Sequence, residues 1–424
     1  MRMRRLGIGL AAAALMLTGV SQTAAGSGEG ETLTVWIMEG TNPDATPFFE
    51  DVTAAFEEQT GATLDVQFVQ WADAKQQFTT GISGGTLPDV AEVGTTWTPE
   101  FAAAGALTDL TERIEETGLT DDLVPALADA GTFEEGLYGM PWYSGVRAIL
   151  YRTDVFESAG ITEMPATWDE LVAAGEAIQE AEPDMLPFPI AGDSEFGLDP
   201  FIWGAGGDIA TESDGEWTSA LTSAEAREGI AFYTGLATEH GFSTPAASTW
   251  DEADLRDSFS AGESAMMIAG NWTPGALIEA NPDLEGNIGA FPIPGPDGGL
   301  SPSFLGGSHL SIFNTTEQED LAWTFIELMT TGDFASQWGE ESGFFPATLS
   351  QLEEVQAGDD PLVAPFAQQM AEAGQTVPVT PLYGVIQGNK TIAAMLRSIL
   401  AGDATIEEAT ETAAQEMNDV FAGG

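Results

Sequence analysis

The sequence predicts an α/β fold, on three observations. Compact apolar strands alternate with amphipathic helices, glycines stand where those helices should stop, and the composition supports real cores. Of 424 residues, 43% are hydrophobic, including 11 Trp and 23 Phe, so apolar burial can offset chain entropy and wholesale disorder is excluded. The length predicts two or three domains.

The first predicted strand is Leu33 to Met38, after a flexible Gly- and Glu-rich leader over 26–32. Phe48, Phe49, Val52 and Phe56 then recur at helical spacing up to Gly61, an amphipathic helix with a C-terminal glycine. Leu64 to Val69 alternates apolar and polar residues and reads as a second strand. A helix over Trp71 to Ile82 ends at Gly84-Gly85 and leads into Pro88 to Val93, a third strand. Strands alternating with helices of this length argue for a parallel layer structure. The pattern restarts at Tyr138 to Tyr151, rich in aromatic and branched residues, and Thr167-Trp168-Asp169-Glu170 starts a capped helix. Further helices are predicted over Ala224 to Glu239, Glu317 to Thr331, Thr391 to Ala401 and Ile406 to Phe421. The proline- and glycine-rich stretch Phe291 to Gly299 reads as an extended connector. No repeat of 20 to 50 residues is present.

Composition narrows the function. With no Cys, disulfide scaffolds, thiolate zinc sites, iron–sulfur clusters and cysteine nucleophiles are excluded. The 68 Asp and Glu against 11 Lys and Arg, a net charge of −57, argue against a nucleic-acid partner, since phosphate backbones are bound by Lys and Arg. Arg2, Arg4 and Arg5 precede an apolar run from Leu6 to Val20 and a small-residue stretch through Ala25, the pattern of a signal peptide over 1–25. The run is short for a membrane span, so the mature protein is expected outside the cytoplasmic membrane. Arg4-Arg5 leaves Sec and twin-arginine export both open. Val20 stands where a lipoprotein signal carries its Cys, which excludes a lipid anchor at that position. The acidity itself matches proteins of saline habitats or a plainly solvated surface.

The order of motifs resembles the extracellular solute-binding proteins of ABC importers, in particular the maltose-binding-protein-like family. The markers are Leu33-Thr34-Val35-Trp36, Phe56-Glu57-Glu58-Gln59-Thr60-Gly61, Gly85-Thr86-Leu87-Pro88-Asp89-Val90, Ala104-Gly105-Ala106-Leu107, Tyr138-Gly139-Met140-Pro141, Leu150-Tyr151-Arg152-Thr153-Asp154, Gly262-Glu263-Ser264-Ala265-Met266-Met267 and Phe304-Leu305-Gly306-Gly307. Within that family, Trp36 to Asp44 and Gln70 to Ala74 are similar to actinobacterial sugar-binding components, those for N,N'-diacetylchitobiose among them. The resemblance implies a two-lobed periplasmic-binding-protein-like fold with discontinuous lobes joined by a hinge. The first lobe would hold 33–142 and 306–349, the second 148–300 and 355–424, with hinge crossings near 141–147 and 301–307.

A sugar offers an apolar C–H face and a hydroxyl rim, so its binder needs flat aromatic rings together with carboxylates or amides. Ligands in open α/β sheets lie beyond the carboxyl ends of strands. That criterion selects Glu39, Asn42 and Asp44 after the first strand, Trp71 after the second, and Thr95, Thr96 and Trp97 after the third. Family correspondence adds Trp142, Tyr143 and Gly145 at the crossing, Phe201 and Trp203 after Pro200, Trp272, and Tyr383. Trp36, Trp168 and Trp323 read as core, and Trp217 as the cover of a hairpin.

Catalysis has little support. No local arrangement marks a glycosidase acid and nucleophile. Of the two imidazoles, His240 suits a helix C-terminus and His309 a packing or orienting role. The segment Asn281 to Gly286 fails as a calcium loop because Pro292 stands where the bidentate Glu belongs. No metal or cofactor is expected. The reading is a monomeric receptor that closes its lobes on an oligosaccharide and presents it to an ABC permease. The alternatives are a polyamine or other cationic-ligand receptor, held by carboxylates and aromatic rings, and a secreted glycoside hydrolase.

Overall fold

In the computed structural model the described residues are 28, 30–40, 43–358 and 360–423. The export segment and Asn42 lie outside them. The chain builds two lobes. In the first, strands β1 (Thr32–Glu39), β2 (Thr63–Gln70) and β3 (Val90–Gly94) are parallel, with β1 between its neighbours. Three further strands complete a six-stranded sheet in the order Phe345–Pro346, Met140–Gly145, Gly306–Ile312, β3, β1, β2. Helix α1 (Thr46–Thr60) connects β1 to β2, and α2 (Trp71–Gly84) connects β2 to β3. These are helical crossover units of the kind a parallel sheet requires.

Helix α1 shows why the local sequence folds this way. Phe48, Phe49, Val52 and Phe56 lie on one face and are buried, each contributing roughly 1.5–3 kcal/mol of apolar burial. Gly61 ends the helix in the left-handed region at φ 75°, where its N–H donates to Glu57 O at 2.9 Å. A side chain there would be strained. The expected leader is shorter than predicted: Gly28 N–H donates to Thr60 O and Thr63 N–H to Glu31 O, which ties residues before β1 to the end of α1.

The second lobe holds a three-stranded antiparallel sheet, Met266–Gly270, Arg147–Arg152 and Ile288–Phe291 in that order. Around it pack the helices Trp168–Ala181, Glu195–Gly204, Ala224–Thr238, Thr391–Leu400 and Ile406–Ala422, through a core that includes Ile149, Phe188, Phe201, Tyr233, Tyr383 and Leu396. As the capping sequence predicts, the Thr167 hydroxyl accepts from Glu170 N–H at 3.2 Å. Trp168 and Trp323 are buried, and Trp217 lies on the hairpin Ala210–Ser213/Glu216–Ser219 beside Phe421.

The chain passes between lobes at Val146, the single residue separating strand Met140–Gly145 of one sheet from Arg147–Arg152 of the other. Asn271 pins this crossing. Its Oδ1 accepts from Val146 N–H at 3.0 Å and its Nδ2 donates to Gly343 O at 2.7 Å. A second passage runs from Phe291 through Ser303–Phe304 to Gly306, and a third leaves the first sheet after Pro346.

Candidate functional site

A cavity of about 780 Å³ lies between the lobes, within the range of small-molecule sites. Its first-lobe wall is the carboxyl edge of the parallel strands. Glu39 ends β1 with Gly40 after it, Gln70 ends β2 with Trp71 after it, and Thr95, Thr96 and Trp97 follow β3, joined by Lys75 from α2 and Glu100 from α3 (Thr98–Ala103). Trp71 and Trp97 sit with ring centroids 5.6 Å apart at 58°, half-buried, so each offers a ring surface to the cavity. Gln70 Nε2 donates to Glu39 Oε1 at 2.7 Å, which orients the carboxylate.

The floor is made by the crossings. Trp272 follows strand Met266–Gly270 and is the N-cap of helix Thr273–Ala280. Its ring lies against Gly145 and Gly270, where a Cβ would collide with it, and 4.8 Å from the Phe344 ring. Only 8% of Trp272 is exposed, and the Arg147 guanidinium sits 5.3 Å from its centroid. Arg147 also stacks on Phe196 at 4.6 Å and forks onto Glu252, with Nε–Oε1 at 2.9 Å and Nη2–Oε2 at 3.1 Å.

The second-lobe wall is built from helix termini: Asp193, Ser194, Glu195 and Phe196 at the start of helix Glu195–Gly204, Asp251 and Glu252 at the start of helix Glu252–Ser260, and Gln387 to Lys390 where helix Pro381–Gly388 ends. Lys390 Nζ donates to Asp193 Oδ2 at 2.7 Å, and Gln387 Nε2 donates to Glu195. Burial pushes the carboxyls of Glu195 and Asp199 above the usual range, with Asp193 and Glu252 adding to the rise at Glu195 and Glu195 and Asp208 adding to it at Asp199. Neither oxygen of Asp199 has a hydrogen-bond partner among the described residues.

Beneath the floor, Glu92 in β3 is 1% exposed. It accepts from the Tyr143 hydroxyl, from Ser308 Oγ at 2.8 Å and from Met38 N–H at 2.8 Å. Desolvation nevertheless pushes its carboxyl up to about 7, since no cation compensates the buried charge.

Of the residues selected from the sequence, Glu39, Trp71, Thr95, Thr96, Trp97, Tyr143, Gly145 and Trp272 line this one cavity. The other described ones are placed elsewhere. Asp44 is exposed and accepts from Thr46 N–H at 2.9 Å at the start of α1. Trp142 stacks on Trp338 at 4.8 Å and 20° inside the first-lobe core. Phe201 and Trp203 are buried in the second-lobe core, Phe201 between Trp168 and Tyr233, on helix Glu195–Gly204, which contains Pro200. The same helix reaches the cavity with its first turn. Tyr383 is fully buried, and Gln387, one turn later on its helix, takes the cavity position.

Sequence reasoning missed Lys75, Glu100, Arg147, Asp193, Glu195, Glu252 and Lys390. A signal existed. Lys75 and Lys390 are the only lysines of the chain, and both line the cavity. His309 is buried between Thr98 Oγ1 (2.8 Å to Nδ1) and Leu127 O (2.9 Å to Nε2), and burial lowers its pKa to about 4. It is therefore a neutral packing residue. Among the described residues no group of His, Asp and Glu is placed to hold a metal, and no helix is long and apolar enough to cross a membrane.

This geometry has close parallels. Residues 40–333 match the family of bacterial extracellular solute-binding proteins. The chain is 28% identical over 386 residues to the diacetylchitobiose binding protein DasA of Streptomyces coelicolor, covering 90% of this chain and 88% of that one. It superposes with a TM-score of 0.83 on an ABC transporter solute-binding protein of Thermotoga lettingae bound with α-D-tagatose, at 28% identity over 92% of this chain and 100% of that one. A cyclic α-maltosyl-1,6-maltose binding protein from Arthrobacter globiformis gives 0.72 at 26% identity, over 93% and 99%. With the family profile spanning most of the fold and the cavity placed between its lobes, the chain belongs to the bacterial extracellular solute-binding proteins.

Proposed function

We propose that the protein is the receptor of an ABC sugar importer and captures an oligosaccharide, N,N'-diacetylchitobiose being the first ligand to test. The observation that carries this reading is the pairing of Trp71 and Trp97 on one wall with hydrogen-bonding side chains on the other. Rings accept the C–H face of a sugar while carboxylates and amides direct its hydroxyls. The relative named for diacetylchitobiose supports that choice of sugar. The ligand contacts would come from Glu39, Trp71, Thr96, Trp97 and Trp272 of the residues selected above, together with Glu195, Gln387 and Lys390. Export by the N-terminal segment and delivery as a monomer to a membrane permease complete the reading, and no covalent step is involved.

A cationic ligand is less well supported. Three cavity carboxylates, Glu100, Glu252 and Asp193, already hold Lys75, Arg147 and Lys390. Calorimetric titration with N,N'-diacetylchitobiose, cellobiose, maltose and spermidine tests the assignment. Saturable heat with a saccharide is the expected result, and heat with spermidine alone would replace it with the polyamine receptor.

A further inference from the structure

Helix Pro381–Gly388 has two faces with different owners. Tyr383 and Ile386 are buried in the core of the second lobe. Gly384 and Gly388, one turn apart on another face, meet the first lobe. A Cβ on Gly384 would collide with Glu100 Oε2 and lie 3.2 Å from Thr96 O and 3.3 Å from Glu100 Cβ. A Cβ on Gly388 would lie 3.3 Å from Lys75 Cε. Glu100 and Lys75 form an ion pair, and the ammonium rests 4.7 Å from the Phe101 centroid and 5.6 Å from that of Trp97. Both members of the pair line the cavity. The two glycines thus leave a flat backbone surface on one lobe, and the ion pair of the other lobe lies on it.

Two features fix the helix in this position. Its Gln387 is tied to Glu195, and Lys390, just beyond its end, holds a left-handed conformation at φ 56° while its ammonium is bonded to Asp193 at 2.7 Å. Elsewhere on the rim the lobes also meet, through Arg256 Nη1 to Gly40 O at 2.8 Å, Asp44 N–H to Glu279 Oε2 at 3.2 Å and the approach of Pro43 to Gly275.

We infer that the Gly384/Gly388 face and the Lys75–Glu100 pair form a closure seat, and that Lys75 and Glu100 are positioning residues that set affinity through the closed arrangement of the lobes. This rests on the reading that the cavity closes on its ligand. A methyl group at Gly384 forces Glu100 aside or holds the lobes apart, and either weakens the closed state alone. Alanine favours the helix itself, so the second lobe keeps its fold.

The chain has no Cys, which allows clean spin labelling at the exposed sites Gln77→Cys and Glu212→Cys. The interlobe distance distribution and the dissociation rate of N,N'-diacetylchitobiose are measured for the labelled protein, for Gly384→Ala and Gly384→Leu, and for Glu100→Ala. Expected are an unchanged melting temperature for Gly384→Ala, longer interlobe distances in all three variants, and dissociation accelerated about tenfold or more by Gly384→Ala. Distances identical to the parent's in both Gly384→Leu and Glu100→Ala would overturn the seat. Absence of binding by the parent protein would overturn the choice of sugar, and the distances that decide the seat are then measured with the ligand of the calorimetric panel that does bind.

Discussion

The two walls of the cleft are built differently. The first-lobe wall is a row of strand ends, where β1, β2 and β3 stop side by side and the next residues, Glu39, Trp71 and Thr96-Trp97, are delivered to one edge. The second-lobe wall is made of helix termini brought from three distant parts of the chain, carrying Asp193 and Glu195, Glu252, and Gln387 with Lys390. One wall is led by aromatic rings, the other by charge. The paired indole rings Trp71 and Trp97 therefore lie on one lobe, and the carboxylates at helix ends, Asp193, Glu195 and Glu252, on the other.

The largest test of this division contrasts aromatic residues in the same lobe that differ only in placement. Trp142 is locked against Trp338, so Trp142→Ala should cost roughly 3–5 kcal/mol of stability in chemical denaturation. A loss below about 1 kcal/mol would show that the stack is not core. On the charged wall, Arg147→Met leaves Glu252 without its cation and removes the guanidinium from Phe196 and Trp272. A stability loss of about 3 kcal/mol is expected, partly restored by adding Glu252→Gln. A double-mutant cycle with no coupling would mean that the fork contributes nothing. Trp97→Ala, by contrast, should leave the melt nearly unchanged and weaken sugar binding by roughly 1–3 kcal/mol. Calorimetry showing parent-like affinity would remove Trp97 from the stacking wall.

Glu92 extends the comparison to pH. Its folded pKa of about 7 lies above the unfolded value, so between the two the folded state binds more protons. Stability from this group is present at low pH and falls as pH rises from about 4.5 through 7. Glu92→Gln abolishes that dependence, and its advantage over the parent should grow by roughly 1–3 kcal/mol between pH 5 and pH 8. Parallel stability curves for the two proteins would refute the buried-carboxylate account.

The smallest expected effect is on affinity in salt. Three of the basic residues on the cleft are paired with acids, and a neutral sugar gains no Coulomb energy, so its affinity should hardly change between low and about 1 M NaCl. The melting temperature should rise over the same range, because 68 acids outnumber 11 bases and screening relieves their repulsion. Affinity that collapses with salt would point to a cationic ligand.

The sequence by itself determined the alternation of strands and helices, their glycine stops and the residues at the ends of β1, β2 and β3. These follow from local periodicity, and the carboxyl edge of a parallel sheet delivers the following residue to a predictable place. Which turn of a helix faces the cleft is not a local property. Phe201 and Trp203 were expected at the site and went into the core, while Glu195 and Phe196 of the same helix reached the cavity. Tyr383 likewise gave way to Gln387. In each case the sequence specifies an apolar and a polar side, but the rotation of the helix is fixed by the partners it packs against, here Tyr233, Trp168 and the facing helices of the second lobe. The pairing of Lys75 with Glu100, of Arg147 with Glu252 and of Lys390 with Asp193 spans up to 197 positions, a distance over which only tertiary packing can choose partners.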